Sequence, residues 1–227
     1  MGTGLEHSWN LTPSEAIALQ QQLRKKIRKS GALRPNQLKT IAGADCAFDH
    51  TGRYGFAGVV VYRYPELEVL RRVGRRSRVT FPYVPGLLSF REAPLLLAAI
   101  EKLDKLPDLF IFDGQGIAHP RRIGIASHMG LLLDRPSIGC AKSRLIGQHR
   151  TPGQKPGSSA PLTIDGEQVG NVLRTKRGCK PVYISVGHRI NLAQATEIIL
   201  TCVGKYRIPI PTRDADLYVA QLKARTK

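Results

Sequence analysis

Two aspartates stand where an ionised side chain is costly. Asp45 lies inside the apolar run Ile41-Ala42-Gly43-Ala44-Asp45-Cys46-Ala47-Phe48, and Asp113 closes the run Leu109-Phe110-Ile111-Phe112 ahead of Gly114-Gln115-Gly116. A carboxylate among apolar neighbours needs a pairing partner, hydrogen bonds or a metal ion. In α/β sheets ligands gather just beyond strand ends, where Asp113 is expected to sit. Either acid alone could cap its own turn; two of them on separate strands point to a shared site. Glu92 and Asp216 are more ambiguous. Ser89-Phe90-Arg91-Glu92 has the spacing of a capping box, and Asp214 and Asp216 fall in the first turn after Thr212, where a helix dipole favours acids regardless of function. His119 and His128 have no second histidine at metal-ligand spacing, and Gly114-Gln115-Gly116 by itself is a weak signal for phosphate binding.

The loop Phe81-Pro82-Tyr83-Val84-Pro85-Gly86 holds an aromatic between two prolines, each of which fixes φ and restricts its neighbour. A rigid apolar projection of this kind resembles the wedges that part stacked bases; an aromatic folded down as a hydrophobic lid is the alternative. The charge balance favours nucleic acid as the partner. The chain has 35 Lys+Arg against 17 Asp+Glu, a formal net charge of +18, and such a field attracts a polyanion over long range.

These residues need elements to position them. Leu11-Thr12-Pro13-Ser14-Glu15 opens a helix with Thr12 as N-cap and Glu15 closing a capping box, and Ala16, Leu19, Leu23 and Ile27 recur at helical spacing. Strands are expected at Thr40 to Phe48, Phe56 to Arg63 and Leu67 to Val73, as an antiparallel meander. A loop then leads to a helix from Ser89 to Leu103, a strand ending at Asp113, a helix through Ala126 to Leu133 and a strand at Ser137 to Cys140. Thr151 to Ala160, rich in Pro, Gly and Ser, reads as a mobile surface loop. Strands near Pro161–Ile164, Gln168–Arg174 and Pro181–Val186 follow, and helices from Asn191 and Thr212 close the pattern. Meander first and alternating elements after it indicate an α/β fold with a mixed central β-sheet and helices on both faces.

Composition excludes several classes. Cys46, Cys140, Cys179 and Cys202 form no CxxC pair, so reduced thiols in a cytoplasmic protein are expected, without a zinc or disulfide framework. The opening Met1-Gly2-Thr3-Gly4-Leu5-Glu6 lacks the form of a signal peptide, and the apolar stretch Leu95 to Ile100 is too short to span a bilayer. No membrane role is expected.

Taken together, Ile41-Ala42-Gly43-Ala44-Asp45, the Phe81–Gly86 loop with Ser89-Phe90-Arg91-Glu92, Phe112-Asp113-Gly114-Gln115-Gly116 with His119-Pro120-Arg121-Arg122, Gly124-Ile125-Ala126-Ser127-His128, Ile138-Gly139-Cys140-Ala141-Lys142-Ser143-Arg144-Leu145, Gly187-His188 and Pro211-Thr212-Arg213 resemble the endonuclease V family of deoxyinosine 3′-endonucleases. The match runs in order from about residue 10 to 220. The resemblance implies a ribonuclease-H-like fold in one domain over 1–227. It makes Asp45 and Asp113 metal-binding acids, Glu92 a third catalytic carboxylate and Asp216 a fourth ligand at a position that varies in the family. Pro82, Tyr83, Val84 and Pro85 match the wedge that enters DNA. Gly86, Leu88, Gly114 and Leu145 match the pocket for the extruded hypoxanthine, Lys142 with Ser143 a phosphate contact, and His119 is an accessory candidate. Cys140 departs from the valine of many relatives, a conservative change in size.

The activity implied is DNA repair: recognition of deoxyinosine and hydrolysis of the second phosphodiester bond 3′ to it, leaving 3′-hydroxyl and 5′-phosphate ends. An oxygen-rich carboxylate site implies Mg²⁺, with Mn²⁺ as substitute. A monomer is expected. Two alternatives stay open: an inosine-specific endoribonuclease of the same family, and a basic binding module without catalysis. The second would be marked by a missing carboxylate, and Asp45, Glu92 and Asp113 are all present.

Overall fold

The structure, a computed structural model, describes residues 5–30 and 33–225; Met1 to Gly4, on which part of the signal-peptide reading rests, lie outside them. Helix α1 (Pro13–Leu23) starts as expected, with the Thr12–Glu15 capping box formed in both directions. A 3-10 turn (Arg24–Lys26) follows, so Ile27 lies beyond the helix rather than on its fourth turn. Strands β1 (Thr40–Phe48), β2 (Tyr54–Arg63) and β3 (Val69–Arg78) form the antiparallel meander. Then come α2 (Leu88–Ile100), β4 (Leu109–Phe112), α3 (Ile125–Leu133), β5 (Ser137–Ala141), β6 (Ser159–Ile164), β7 (Glu167–Leu173), β8 (Val182–His188), α4 (Leu192–Thr201) and α5 (Ile210–Ala224).

All eight strands join one mixed sheet in the order β3-β2-β1-β4-β5-β8-β7-β6, with β1, β4 and β5 parallel and the other pairings antiparallel. Strand alternation sends Ile41, Val60, Tyr62, Leu109 and Ile111 to a core shared with α4 residues Ala195, Ile198 and Ile199. Their neighbours Ala42, Val59, Val61, Phe110 and Phe112 enter the opposite core with Leu95 and Leu96 of α2 and Met129 of α3. Helices therefore cover both faces, the α/β arrangement that the alternating pattern called for.

Besides shifts of two or three residues at the ends of several elements, such as α2 ending at Ile100 and β2 starting at Tyr54, three features differ from the sequence reading. β3 runs on to Arg78, because its arginines need only an exposed edge and not an apolar face. α5 begins at Ile210, two residues before Thr212, so Thr212 is buried within the helix and Asp214 and Asp216 lie beyond the first turn. The segment 151–158 is irregular but tethered: the buried Arg174 guanidinium donates to the Gly153 and Pro152 carbonyls at 3.2 and 3.3 Å and also to Cys179 O, and Pro152 is buried. A charged side chain sealed under carbonyls holds that loop down, which composition alone does not reveal.

Candidate active site

Parallel pairing of β1 with β4 aligns Ala44 with Phe112, so Asp45 and Asp113 are the next residues of adjacent strands. Glu92 reaches them from α2, which is held against β1 where the Cys46 thiol lies 3.9 Å from the Glu92 carbonyl. Helix α5 brings Asp216 from the opposite face. It can do so because β1 carries Gly43: a Cβ there would lie 1.9 Å from the Pro211 carbonyl oxygen, so only glycine lets the first turn of α5 rest on the strand. Gly58 and Gly74 continue that track across β2 and β3 beneath Val219 and Leu222. Lys142, just past β5, completes the group, its ammonium 2.5 Å from Asp113 Oδ2 and 3.1 Å from Asp216 Oδ2.

The electrostatics follow from crowding. Burial, then the neighbouring Asp113 carboxylate, push Asp45 up to about 7, although the Cys46 N–H donates to its Oδ1 at 2.8 Å. Burial, then Asp45 and Asp113, push Glu92 up to about 8. Burial also works against the Lys142 ammonium, but its two carboxylate partners outweigh it and hold the lysine charged. Acids that suppress one another's ionisation form a site for a cation. Among the described residues no three carboxylate, imidazole or thiol groups stand together so as to hold a metal ion, the expected set of Asp45, Glu92 and Asp113 included. The lysine ammonium bridges two of the acids, and the oxygen donors around it are of the hard kind that suits Mg²⁺ or Mn²⁺.

Glu92 does not cap a helix. α2 starts at Leu88 with no side-chain cap, and Ser89 is buried within it, its hydroxyl 3.0 Å from His128 Nδ1. The capping spacing is therefore incidental. Asp214 stands apart from the acid group and accepts a hydrogen bond from the Tyr62 hydroxyl at 2.8 Å.

A cleft of about 430 Å³ opens beside Asp113 and Lys142. Tyr83 to Gly86, Leu88, Gly114, Ser143 and Leu145 line it, so the expected wedge, lesion pocket and phosphate contact share one opening. Tyr83 is 72% exposed while Phe81 is 3% exposed: Phe81 is the lid aromatic and Tyr83 projects freely. Gly86, at φ +78°, makes a turn that disfavours any side chain. Its carbonyl accepts from Gln20 Nε2, His119 Nε2 and Arg121 Nη2 at 3.1, 3.1 and 2.7 Å, while Arg91 donates to Phe81 O at 2.7 Å. His119 accepts from the Arg121 N–H at Nδ1, which leaves Nε2 as the donor, and burial followed by Arg121 brings its pKa down to about 4. It is a neutral brace under the loop.

Sequence reasoning missed Gln20 and Arg121. A signal existed for the first: Ala16, Gln20 and Leu23 form the buried stripe of α1, and a polar residue on an apolar stripe demands a partner. Lys142, matched to a phosphate contact, is instead engaged with carboxylates, and Ser143 offers its backbone carbonyl to Gln115 Nε2 at 3.1 Å.

The endonuclease V family model matches residues 21–217. An endonuclease V of Dehalococcoides mccartyi is 47% identical over 216 residues, 95% of this chain and 96% of that protein. The crystal structure of endonuclease V from Streptomyces avermitilis superposes with a TM-score of 0.91 at 41% identity, covering 98% of each chain. That of Ciona intestinalis, solved with a 23mer DNA containing an inosine followed by a ribo-adenosine, superposes with a TM-score of 0.83 at 27% identity over 96% of this chain and 100% of the other. Fold and relatives agree, and the ribonuclease-H-like α/β chain belongs to the endonuclease V family.

Proposed function

We propose that this protein, acting as one domain, recognises deoxyinosine in DNA and hydrolyses the second phosphodiester bond 3′ to it, leaving 3′-hydroxyl and 5′-phosphate ends, as a repair enzyme. One observation carries the reading: the cleft under the projecting Tyr83 opens onto Asp113 and Lys142, so a base-sized space and a cation-seeking carboxylate group are neighbours.

An inosine pair is weaker than a normal pair, which lowers the cost of extruding the base. Tyr83 would fill the gap, held ready by Pro82 and Pro85 so that little ordering entropy is lost. Gly86 and Gly114 let the backbone approach the base closely, where N–H groups can donate to the hypoxanthine O6; adenine presents an amino donor at that edge instead. Asp45, Glu92 and Asp113 would hold Mg²⁺, with Asp216 beside them. Held there, Mg²⁺ would supply activation of the attacking water and neutralisation of charge on the phosphate. Lys142, which bridges Asp113 and Asp216 in the free protein, would move its ammonium to the scissile phosphate.

A second reading, an endoribonuclease acting on inosine-containing RNA, is favoured by the ribo-adenosine that follows inosine in the Ciona complex. Cleavage of matched strands carrying deoxyinosine or inosine, single and paired, with Mg²⁺, decides between them. Faster cutting of the ribonucleotide substrate would move the assignment to RNA, and no cutting of either would leave a binding module.

A further inference from the structure

The strand that leads into the wedge loop carries charge that the reading above does not use. β3 is an edge strand, and Arg71, Arg72, Arg75, Arg76 and Arg78 are all exposed along it. A few surface cations meet acids: Arg63 pairs with Glu68, Lys29 and Arg122 with Glu167, and Arg189 with Asp134. Among the described residues none of the β3 arginines makes an ion pair. A row of like charges repels itself and gains most from a polyanion laid along it.

Register fixes where the row lies. Asp45 pairs with Gly58 and Gly58 with Gly74, so β3 passes the level of Asp45 at Gly74; just beyond it strand alternation sets Arg76 and Arg78 on the face of Gly74 and Arg75 on the other, so the three flank the sheet edge. That is the end of the sheet where the carboxylates gather. Two strand spacings separate β3 from β1, about 10 Å, or roughly three base steps of B-DNA at about 3.4 Å each. The same strand leads into the wedge loop through Val79 and Thr80. The Arg76 guanidinium lies 3.8 Å over the Tyr54 ring.

We infer that Arg75, Arg76 and Arg78 form a second nucleic-acid surface, gripping backbone phosphates of the duplex that flanks the lesion while the cleft holds the extruded base; the identity of the ligand rests on the nuclease reading. The rival explanations are that charge on an edge strand guards against edge-to-edge pairing, or that the row docks an acidic protein.

The test is the salt dependence of binding to an undamaged duplex several turns long. This needs neither inosine nor cleavage, so it stands or falls separately from the deoxyinosine assignment. Each phosphate contact adds about 0.9 to the log–log slope, so Arg75→Gln/Arg76→Gln/Arg78→Gln is expected to lower its magnitude by about 2–3. The corresponding triple lysine variant should retain the slope. Arg28→Gln/Lys39→Gln should also leave it unchanged, since Lys39 precedes β1 and Arg28 bonds to His188 at the opposite end of the sheet. Cleavage of a short single-stranded inosine oligonucleotide at saturation should be unaffected by the triple glutamine variant. Should that variant fold poorly, Arg78→Gln alone is expected to lower the slope by about 0.9. An unchanged slope in the soluble variants, or an equal drop in the opposite-end control, overturns the proposal.

Discussion

At the scale of single residues the site makes two separable demands, and each has its own test. Asp45 and Asp113 are strand acids that meet at one point, so Asp45→Asn or Asp113→Asn should reduce single-turnover cleavage by about 100- to 1000-fold or more. The reason is that a metal contributes several kcal/mol to the transition state, at about 1.4 kcal/mol per tenfold. Binding of an inosine strand in Ca²⁺ should persist; wild-type rates in either variant would remove the acid from the mechanism. Tyr83 and Phe81 form a contrasting pair. Tyr83→Ala should weaken duplex recognition by about 1–3 kcal/mol, less on single strands, and leave the melting temperature alone because the ring is exposed. Phe81→Ala should cost about 3–5 kcal/mol of stability, since that ring is buried against Phe90. A lowered melting temperature in Tyr83→Ala with equal losses on both substrates would make Tyr83 a core residue. The two aspartates were legible because acids in apolar runs are costly. Glu92 was not legible from its neighbours, since the same letters fit a helix cap; that reading fails only once α2 is seen to start at Leu88.

At the scale of elements the decisive contact is α5 on β1. Gly43→Ala would drive a methyl into the Pro211 carbonyl, backbone that cannot yield as a flexible side chain would. It should destabilise the fold by at least about 1–3 kcal/mol and slow cleavage by up to about 100-fold through displacement of Asp216. Urea titration beside cleavage rates checks both; unchanged values would mean that α5 shifts freely. β1 and β4 begin and end where the sequence placed them, because buried strands with turn residues at their ends carry an unmistakable pattern. The end of β3, the start of α5 and the tether of the 151–158 loop were not legible. Each depends on a partner distant in the chain: a strand edge, a glycine on β1, and Arg174.

At the scale of the whole molecule the clustered acids set a balance between pH and stability. Asp45 and Glu92 keep protons in the folded state that the unfolded chain has already released near pH 4, so in chelator they erode stability as pH rises from about 4 to about 8. His119 and His128, held neutral with pKa values brought down to about 4 and 3, act in the other direction and cost stability as pH falls below about 6.5. Above that point the histidines contribute a constant amount, so the melting temperature in chelator should fall between pH 6.5 and 8. Mg²⁺ should restore it, by a margin that grows with pH because the ion binds the ionised acids. A flat profile, or a Mg²⁺ effect independent of pH, would show that the acids do not share a cation. The glycine track beneath α5 has a consequence in the living cell. Chains emerge from the ribosome N-terminus first, and Asp45 is made long before the helix that must lie across it. A half-made chain therefore carries the wedge loop and about half of the lysines and arginines, yet lacks the helix that brings Asp216 to the acid group. With Asp216 in the proposed role, the nuclease would stay disarmed until α5 has been made.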